Sequence, residues 1–197
     1  LSGLVGSEMC IRDSLPYLAN YQEQELVVQR LRVQEDDAFI TTNAGFLWVD
    51  VAQALVRGHF AVGQCEDVAH WGGHIFAAFG GKLYHINKRS NFNDLSLWTL
   101  ALNAHVSAIA PSGRTLFVAL GADQGVNAGL WSVSAPATSA VETIAAQVKP
   151  TSDWLHFDKE YRGSDLHVDA EGKLLAYQRG QVVLVSPSDA PSPVRTQ

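Results

Sequence analysis

The chain has 197 residues and a formal net charge of −6. This mild acidity, without clusters of Lys or Arg, argues against a nucleic acid or an anionic membrane as the partner. No apolar run approaches the roughly 18 residues that a membrane-spanning helix needs, and a chain of this length can form one hydrophobic core or part of a repeat array.

Residues 3–14 read GLVGSEMCIRDS, and the ten-residue stretch LVGSEMCIRD matches one open frame of a transposase-type sequencing-library adapter. Gly3 and Ser14 are also compatible with codons that the adapter's two ends would complete. We therefore predict that residues 1–14 are an artefact and exclude them from the fold. The native start, and any signal peptide, are expected upstream of Leu15. Cys65 is then the one remaining cysteine, which indicates a small buried apolar residue and not half of a disulfide or metal site.

Four segments share one pattern: a short apolar run, a turn that contains glycine, and a second apolar run. The runs are too short for helices and are rich in aromatic and β-branched residues, so each segment predicts a β-hairpin. The predicted hairpins cover residues 38–51, 74–87, 115–134 and 173–186.

Another short strand precedes each hairpin, at residues 67–71, 106–110 and 165–169 and, for the first, at 28–33. A fourth strand is predicted downstream of three of them, at residues 60–62, 97–100 and 141–144. The second strands recur at intervals of 36, 41 and 58 residues, counted between Ile40, Phe76, Phe117 and Leu175. Four antiparallel strands at this period are typical of a β-propeller blade, and the longest interval predicts an insertion around residues 149–163.

Three stretches resemble turns of known propellers. Residues 111–119, PSGRTLFVA, resemble the "SPDGRTLYVA" turn of many bacterial β-propellers, and residues 168–176, VDAEGKLLA, resemble the equivalent turn of NHL-type and gluconolactonase-like propellers. The glycine doublet Gly80-Gly81, followed by Tyr84 and Trp98, resembles the kelch pattern. These turn residues build hairpins and imply a blade geometry without an activity.

The resemblance and the period together predict an all-β fold, a partial and open β-propeller of about four blades over residues 15–186. An antiparallel β-sandwich is the alternative, since it uses similar strands and turns. Residues 187–197 contain three prolines and are expected to form a blade exit or a linker.

The first strands of a propeller line its central channel, and they carry the candidate binding residues. His70 and His167 occupy equivalent positions in two first strands, with Asp67, Asp165 and Asp169 nearby. A His and carboxylate set of this kind can bind a ligand or a metal ion, and the simpler alternative is hydrogen bonding between neighbouring strands. Gluconolactonase-like propellers hold a divalent metal with glutamate, asparagine and aspartate side chains, and no position here matches that set. The resemblance therefore transfers no catalytic or metal-binding residue.

Two of the five tryptophans are candidates for an exposed binding surface. Trp71 precedes a turn, and Trp154 lies in the predicted insertion, where loops on a rigid scaffold carry recognition. Trp48 and Trp131 lie in equivalent third strands, which favours packing between blades.

We expect a ligand-binding or protein-interaction module, with a protein, a small molecule or a carbohydrate as the partner and with no cofactor. The alternatives are a metal-dependent propeller hydrolase or lactonase, and a sensor or adhesion domain of a larger secreted protein. No nucleophile elbow or phosphate-binding loop is found, so an enzyme is the less favoured interpretation. The cellular compartment stays open, with a periplasmic or secreted location favoured.

Overall fold

A computed structural model gives the fold of the chain. It describes residues 26–121, 129–134, 149–152, 165–169, 173–178 and 181–185. The predictions for residues 1–14, for the strand at 141–144, for Trp154 and for residues 187–197 lie outside these ranges.

The described residues form four antiparallel sheets, each with its strands paired in chain order. Blade 1 contains β1 Val28–Gln34, β2 Asp37–Thr42, β3 Gly45–Asp50 and β4 Leu55–Phe60. Blade 2 contains β5 Cys65–Trp71, β6 His74–Phe79, β7 Lys82–Asn87 and β8 Thr99–Leu102, with a 3-10 helix at Leu95–Leu97 before β8. Blade 3 contains β9 Val106–Ser112, β10 Thr115–Leu120, β11 Gly129–Ser134 and β12 Lys149–Ser152. Blade 4 is described by β13 Asp165–Val168, β14 Leu174–Gln178 and β15 Gln181–Val185.

This architecture confirms the predicted all-β fold, the four hairpins and the first strand of each blade. Contacts between the sheets show which strand of each blade is innermost. β5 contacts both β1 and β9, and β9 also contacts β13. The first strands therefore lie next to one another around a common centre. Within the described ranges, no helix is long and apolar enough to cross a membrane.

Three apolar cores lie between successive blades, and they decide against the sandwich. Blade 2 buries one face against blade 1, around Phe46, and its other face against blade 3, around Phe76. Blade 3 buries its second face against blade 4, around Phe117. A β-sandwich has one core between two sheets, whereas the two middle sheets here are covered on both faces. Cys65 is fully buried in the first of these cores, as predicted, and burial raises the pKa of its thiol.

The predicted fourth strand of blade 1 was wrong in position, because β4 spans Leu55–Phe60 and not residues 60–62. The predicted fourth strand of blade 2, residues 97–100, overlaps β8 but was placed two residues too early, since a 3-10 helix capped by Asp94 precedes Thr99. β12 occupies Lys149–Ser152, so the region predicted as an insertion begins with a blade strand. These strands carry polar residues, and β4 also contains Gly58. The Phe92 ring occupies the space that a side chain at position 58 would need, 2.4 Å from an ideal Cβ.

Gly45 begins β3 with a φ of +133°, a conformation that side chains rarely adopt, and an added Cβ would lie 1.9 Å from the Phe60 carbonyl oxygen. Gly73 also has a positive φ, +80°, but an added Cβ there would meet no atom within 4 Å. We expect Gly45→Ala to lower the free energy of unfolding by at least about 3 kcal/mol, because strain and overlap add. The matched Gly73→Ala variant should lose only about 1–2 kcal/mol. Urea denaturation measures both, and equal losses would contradict the predicted overlap at Gly45.

Candidate functional site

The first strand of blade 1 has two chemically different faces. Side chains alternate along a strand, so Arg30, Arg32 and Gln34 point one way while Leu31 and Val33 point the other. The arginine face is partly buried against blade 2, and Leu31 and Val33 are exposed. The alternation places two guanidinium groups at the centre of the propeller.

Both guanidinium groups converge on Asp67, a fully buried residue of β5. Arg30 Nη1 lies 2.5 Å and Arg32 Nη2 lies 2.8 Å from Asp67 Oδ2, and Arg32 Nε donates to Oδ1 at 3.3 Å. The carboxylate also accepts the amide of Val68 at 2.9 Å and the amide of Ile109, in β9, at 2.8 Å. A buried charge needs such compensation, and every lone-pair region of this carboxylate is engaged.

The same arginines extend the network to blade 4. Arg30 Nη2 lies 3.4 Å from Asp165 Oδ1, and Arg32 Nη2 donates to the carbonyl oxygen of Leu166 at 3.3 Å. One group of side chains therefore joins β1, β5, β9 and β13, the first strands of all four blades.

His70 lies at the end of β5, beside the turn between β1 and β2. Its backbone amide donates to Gln34 Oε1 at 2.9 Å, and Gln34 Nε2 donates to its carbonyl oxygen at 3.3 Å. In the ring, Nδ1 lies 3.2 Å from Asp37 Oδ2, within ion-pair distance but outside hydrogen-bond geometry. Nε2 lies 3.8 Å from the exposed carboxylate of Glu35. The imidazole thus sits between two carboxylates.

Asp37 is a buried residue of β2 that accepts two hydrogen bonds and lies beside the His70 ring. Trp48 Nε1 donates to its Oδ1 at 2.7 Å, Lys88 donates to its Oδ2, and His70 lies beside that same oxygen. Burial alone would raise the pKa of Asp37, but the hydrogen bonds from Lys88 and Trp48, with the charges of Lys88 and His70, hold this pKa below its ordinary value.

A cleft of about 430 Å³ lies between β1 and β13. Its walls combine polar side chains with Leu31 and Val33, and the polar ones are Arg30, Arg32, Gln34, Glu35, His70, Asp165 and His167. His70 and His167 therefore share one cleft, although 97 positions separate them in the sequence.

The other predicted site residues occupy different environments. Asp67 lies beneath the cleft and is saturated by the arginines. Asp169 closes the turn after β13, where its Oδ1 accepts the amide of Lys173 at 2.7 Å and its own amide donates to the Lys173 carbonyl. The expectation of an exposed Trp71 was wrong: its side chain is 5% exposed, because blade 3 covers it and the Gly113 carbonyl accepts its Nε1–H at 2.9 Å. Trp48 and Trp131 pack between blades, as predicted.

Sequence reasoning missed Arg30 and Arg32, which hold the centre of the site. The signal was present in β1, where two arginines and a glutamine alternate with apolar residues. That pattern indicates a strand with a charged face, but it does not identify a buried partner 35 residues away. In the part of the chain that the structure describes, no three His, Cys, Asp or Glu side chains come close enough to hold a metal ion.

No protein-family model and no curated protein matches this sequence. Solved structures do match. PorZ, a bacterial surface component of the type-IX secretion system of Porphyromonas gingivalis, is 17% identical with a TM-score of 0.62, over 82% of this chain and 20% of that one. The dihydro-heme d1 dehydrogenase NirN is 16% identical with a TM-score of 0.53, over 89% of this chain and 38% of that one. Hydrazine synthase of Kuenenia stuttgartiensis is 16% identical with a TM-score of 0.50, over 82% of this chain and 43% of that one.

The chain has a β-propeller fold. PorZ and NirN contain propellers, and the sheets described above superpose on them at identities that show the fold alone. The chain spans a fifth of PorZ and less than half of the other two chains.

The buried ion pair gives a prediction with a matched control. Asp67→Asn removes the charge that compensates two partly buried arginines, so we expect a loss of about 3–5 kcal/mol in the free energy of unfolding. Asp165→Asn removes the other carboxylate that Arg30 contacts, but its side chain is 56% exposed, and the loss should stay within about 1 kcal/mol. Chemical denaturation tests both, and similar losses for the two variants would contradict a central role for Asp67.

The lowered pKa of Asp37 predicts a pH dependence. A carboxyl whose pKa is lower in the folded than in the unfolded chain stabilises the fold above its ordinary pKa of about 3.9, and this stabilisation disappears as the pH falls through the folded pKa. Between about pH 5 and pH 2, the melting temperature of Asp37→Asn should therefore fall less steeply than that of the wild type. Asp36→Asn, which makes the same charge change at the exposed neighbouring residue, is the control. Calorimetry across this range checks the difference, and parallel slopes for all three proteins would refute it.

Proposed function

We propose that this chain is part of a propeller that binds a ligand in the cleft between β1 and β13, and that it acts as a binding module and not as an enzyme. The observation that carries the proposal is the presence of His70 and His167 in one cleft, on first strands of different blades. Side chains that are distant in sequence and converge on one concave surface are typical of a binding site.

The composition of the cleft indicates the chemistry of the ligand. Histidine, glutamine and carboxylate groups offer hydrogen-bond donors and acceptors, and Leu31 and Val33 offer apolar surface on the same wall. The volume of about 430 Å³ falls within the range of small-molecule sites, roughly 300–1,000 Å³. A small molecule, a saccharide unit or a peptide side chain with both polar and apolar surface fits this combination.

The floor of the cleft supports binding in preference to catalysis. Arg30 and Arg32 are held by Asp67, which also accepts two backbone amides. Fixed charges of this kind make a rigid surface, and rigidity lowers the entropy cost of binding. Nothing in the described ranges favours the metal-dependent hydrolase over a binding module. The alternative of a sensor or adhesion domain would be supported by further domains outside the given sequence.

The proposal is tested by a binding screen that reports on the histidines. A panel of mono- and disaccharides and tripeptides is titrated into the protein while the ring proton signals of His70 and His167 are followed by NMR. We expect a ligand that shifts both signals together and saturates. His167→Ala should weaken that ligand about tenfold, the effect of losing one hydrogen bond to a polar group.

The control is His74→Ala, since His74 is a histidine of β6 outside the cleft lining. The His74→Ala variant should bind the same ligand with the affinity of the wild type. A ligand of the panel that binds the protein without shifting both histidine signals would place the site elsewhere and refute the proposal. So would a ligand that binds the His167→Ala variant with the affinity of the wild type.

A further inference from the structure

A second depression lies at the outer junction of blades 1 and 2, and it shares no lining residue with the cleft. Its volume is about 740 Å³. It is lined by Trp48, Arg57, Gly73, Asn87, Lys88 and Arg89. Because three of these six residues are cationic, we call it the basic groove. No carboxylate is among them.

Local backbone features bring the three cations together. In the pairing of β3 with β4, Trp48 faces Gly58 and Val49 faces Val56, so Arg57 is the extra residue of a β-bulge. A bulge redirects a side chain and is common beside functional sites. Lys88 and Arg89 follow the end of β7, where the Asn87 side chain accepts the amide of Arg89 at 2.9 Å and fixes the turn.

Buried carboxylates hold two of these cations from below. Arg57 Nη2 lies 2.5 Å from Asp50 Oδ2, and Lys88 donates to Asp37 Oδ2. Asp37 and Asp50 are both buried, whereas the side chains of Arg57 and Lys88 are 44% and 33% exposed. The negative charges therefore lie beneath the groove, and parts of both cationic side chains stay exposed to solvent.

The Trp48 ring also restrains both cations. Arg57 Cζ lies 5.2 Å and Lys88 Nζ lies 5.7 Å from its centroid, within cation–π distance. Restraint matters because a cation that is already ordered loses less entropy when it binds an anion. Arg89 is different: no carboxylate of the described residues lies within ion-pair distance of its exposed side chain.

We propose that the basic groove binds the phosphate or sulfate group of a ligand. Two guanidinium groups and an ammonium group around one depression match the several acceptor oxygens of a tetrahedral oxyanion. An arginine fork can bind such an oxyanion through two parallel N–H···O contacts. Arg57 keeps most of its five N–H donors, and Arg89 contributes a guanidinium without a competing carboxylate.

The experiment titrates inorganic phosphate and, separately, inorganic sulfate into the full chain at constant ionic strength, with sodium chloride as the balancing salt. The backbone amide of Arg89 and the Nε–H signals of Arg57 and Arg89 are followed by NMR. We expect saturable shifts with at least one of the two anions and none with chloride. A preference for phosphate or for sulfate shows which of the two oxyanions the groove accommodates better.

Arg89→Gln is the decisive variant, because it removes a cation without breaking an ion pair among the described residues. It should weaken anion binding about tenfold. Lys82→Gln is the matched control, since it makes the same charge change at the opposite end of β7, and it should bind like the wild type. Arg57→Gln, checked for an intact fold by its amide spectrum, should also weaken binding.

Two results would overturn the proposal. One is a linear, non-saturating shift that chloride reproduces, which indicates ionic strength alone. The other is an equal loss of affinity in Arg89→Gln and Lys82→Gln, which indicates the overall charge of the protein and not the groove.

Discussion

The structure depends on one buried carboxylate. Asp67 has lost all contact with water, a change that costs several kcal/mol unless the charge is compensated. The compensation comes from Arg30 and Arg32 in blade 1 and from amides in blades 2 and 3. Apolar cores between blades are non-directional and fix only the contact of each sheet with its neighbour. The charged centre is directional, so we infer that it fixes how the first strands align.

This constraint also shapes the candidate site. Asp67 holds Arg30 and Arg32 through three of their N–H groups, and the other polar side chains that line the cleft are Gln34, Glu35, His70, Asp165 and His167. The ion pairs with Asp67 restrain the two arginines beneath the cleft, and in the binding site that we propose the side chains above them contact the ligand.

Turn residues and alternating or apolar runs made the hairpins predictable from the sequence. The outer strands and the contacts between blades lack these signals and could not be predicted in the same way. The hairpins follow from glycine turns flanked by apolar runs, as at Gly80-Gly81. The outer strand β4 has one face in solvent and carries Arg57 and Gly58, so its pattern is weak. Trp71 illustrates a different limit: a residue before a turn is expected to be exposed, but a neighbouring blade can cover it and accept its N–H. Contacts between blades leave no periodic trace in the sequence.

Asp37 connects the two surfaces. The oxygen Oδ2 accepts Lys88, which lines the basic groove, and lies 3.2 Å from His70 Nδ1, which lines the cleft. Lys88 of the basic groove and the His70 ring of the cleft therefore lie beside the same carboxylate oxygen, and the position of either one affects the interaction of the other with that oxygen. The low pKa of Asp37 keeps this oxygen charged at neutral pH.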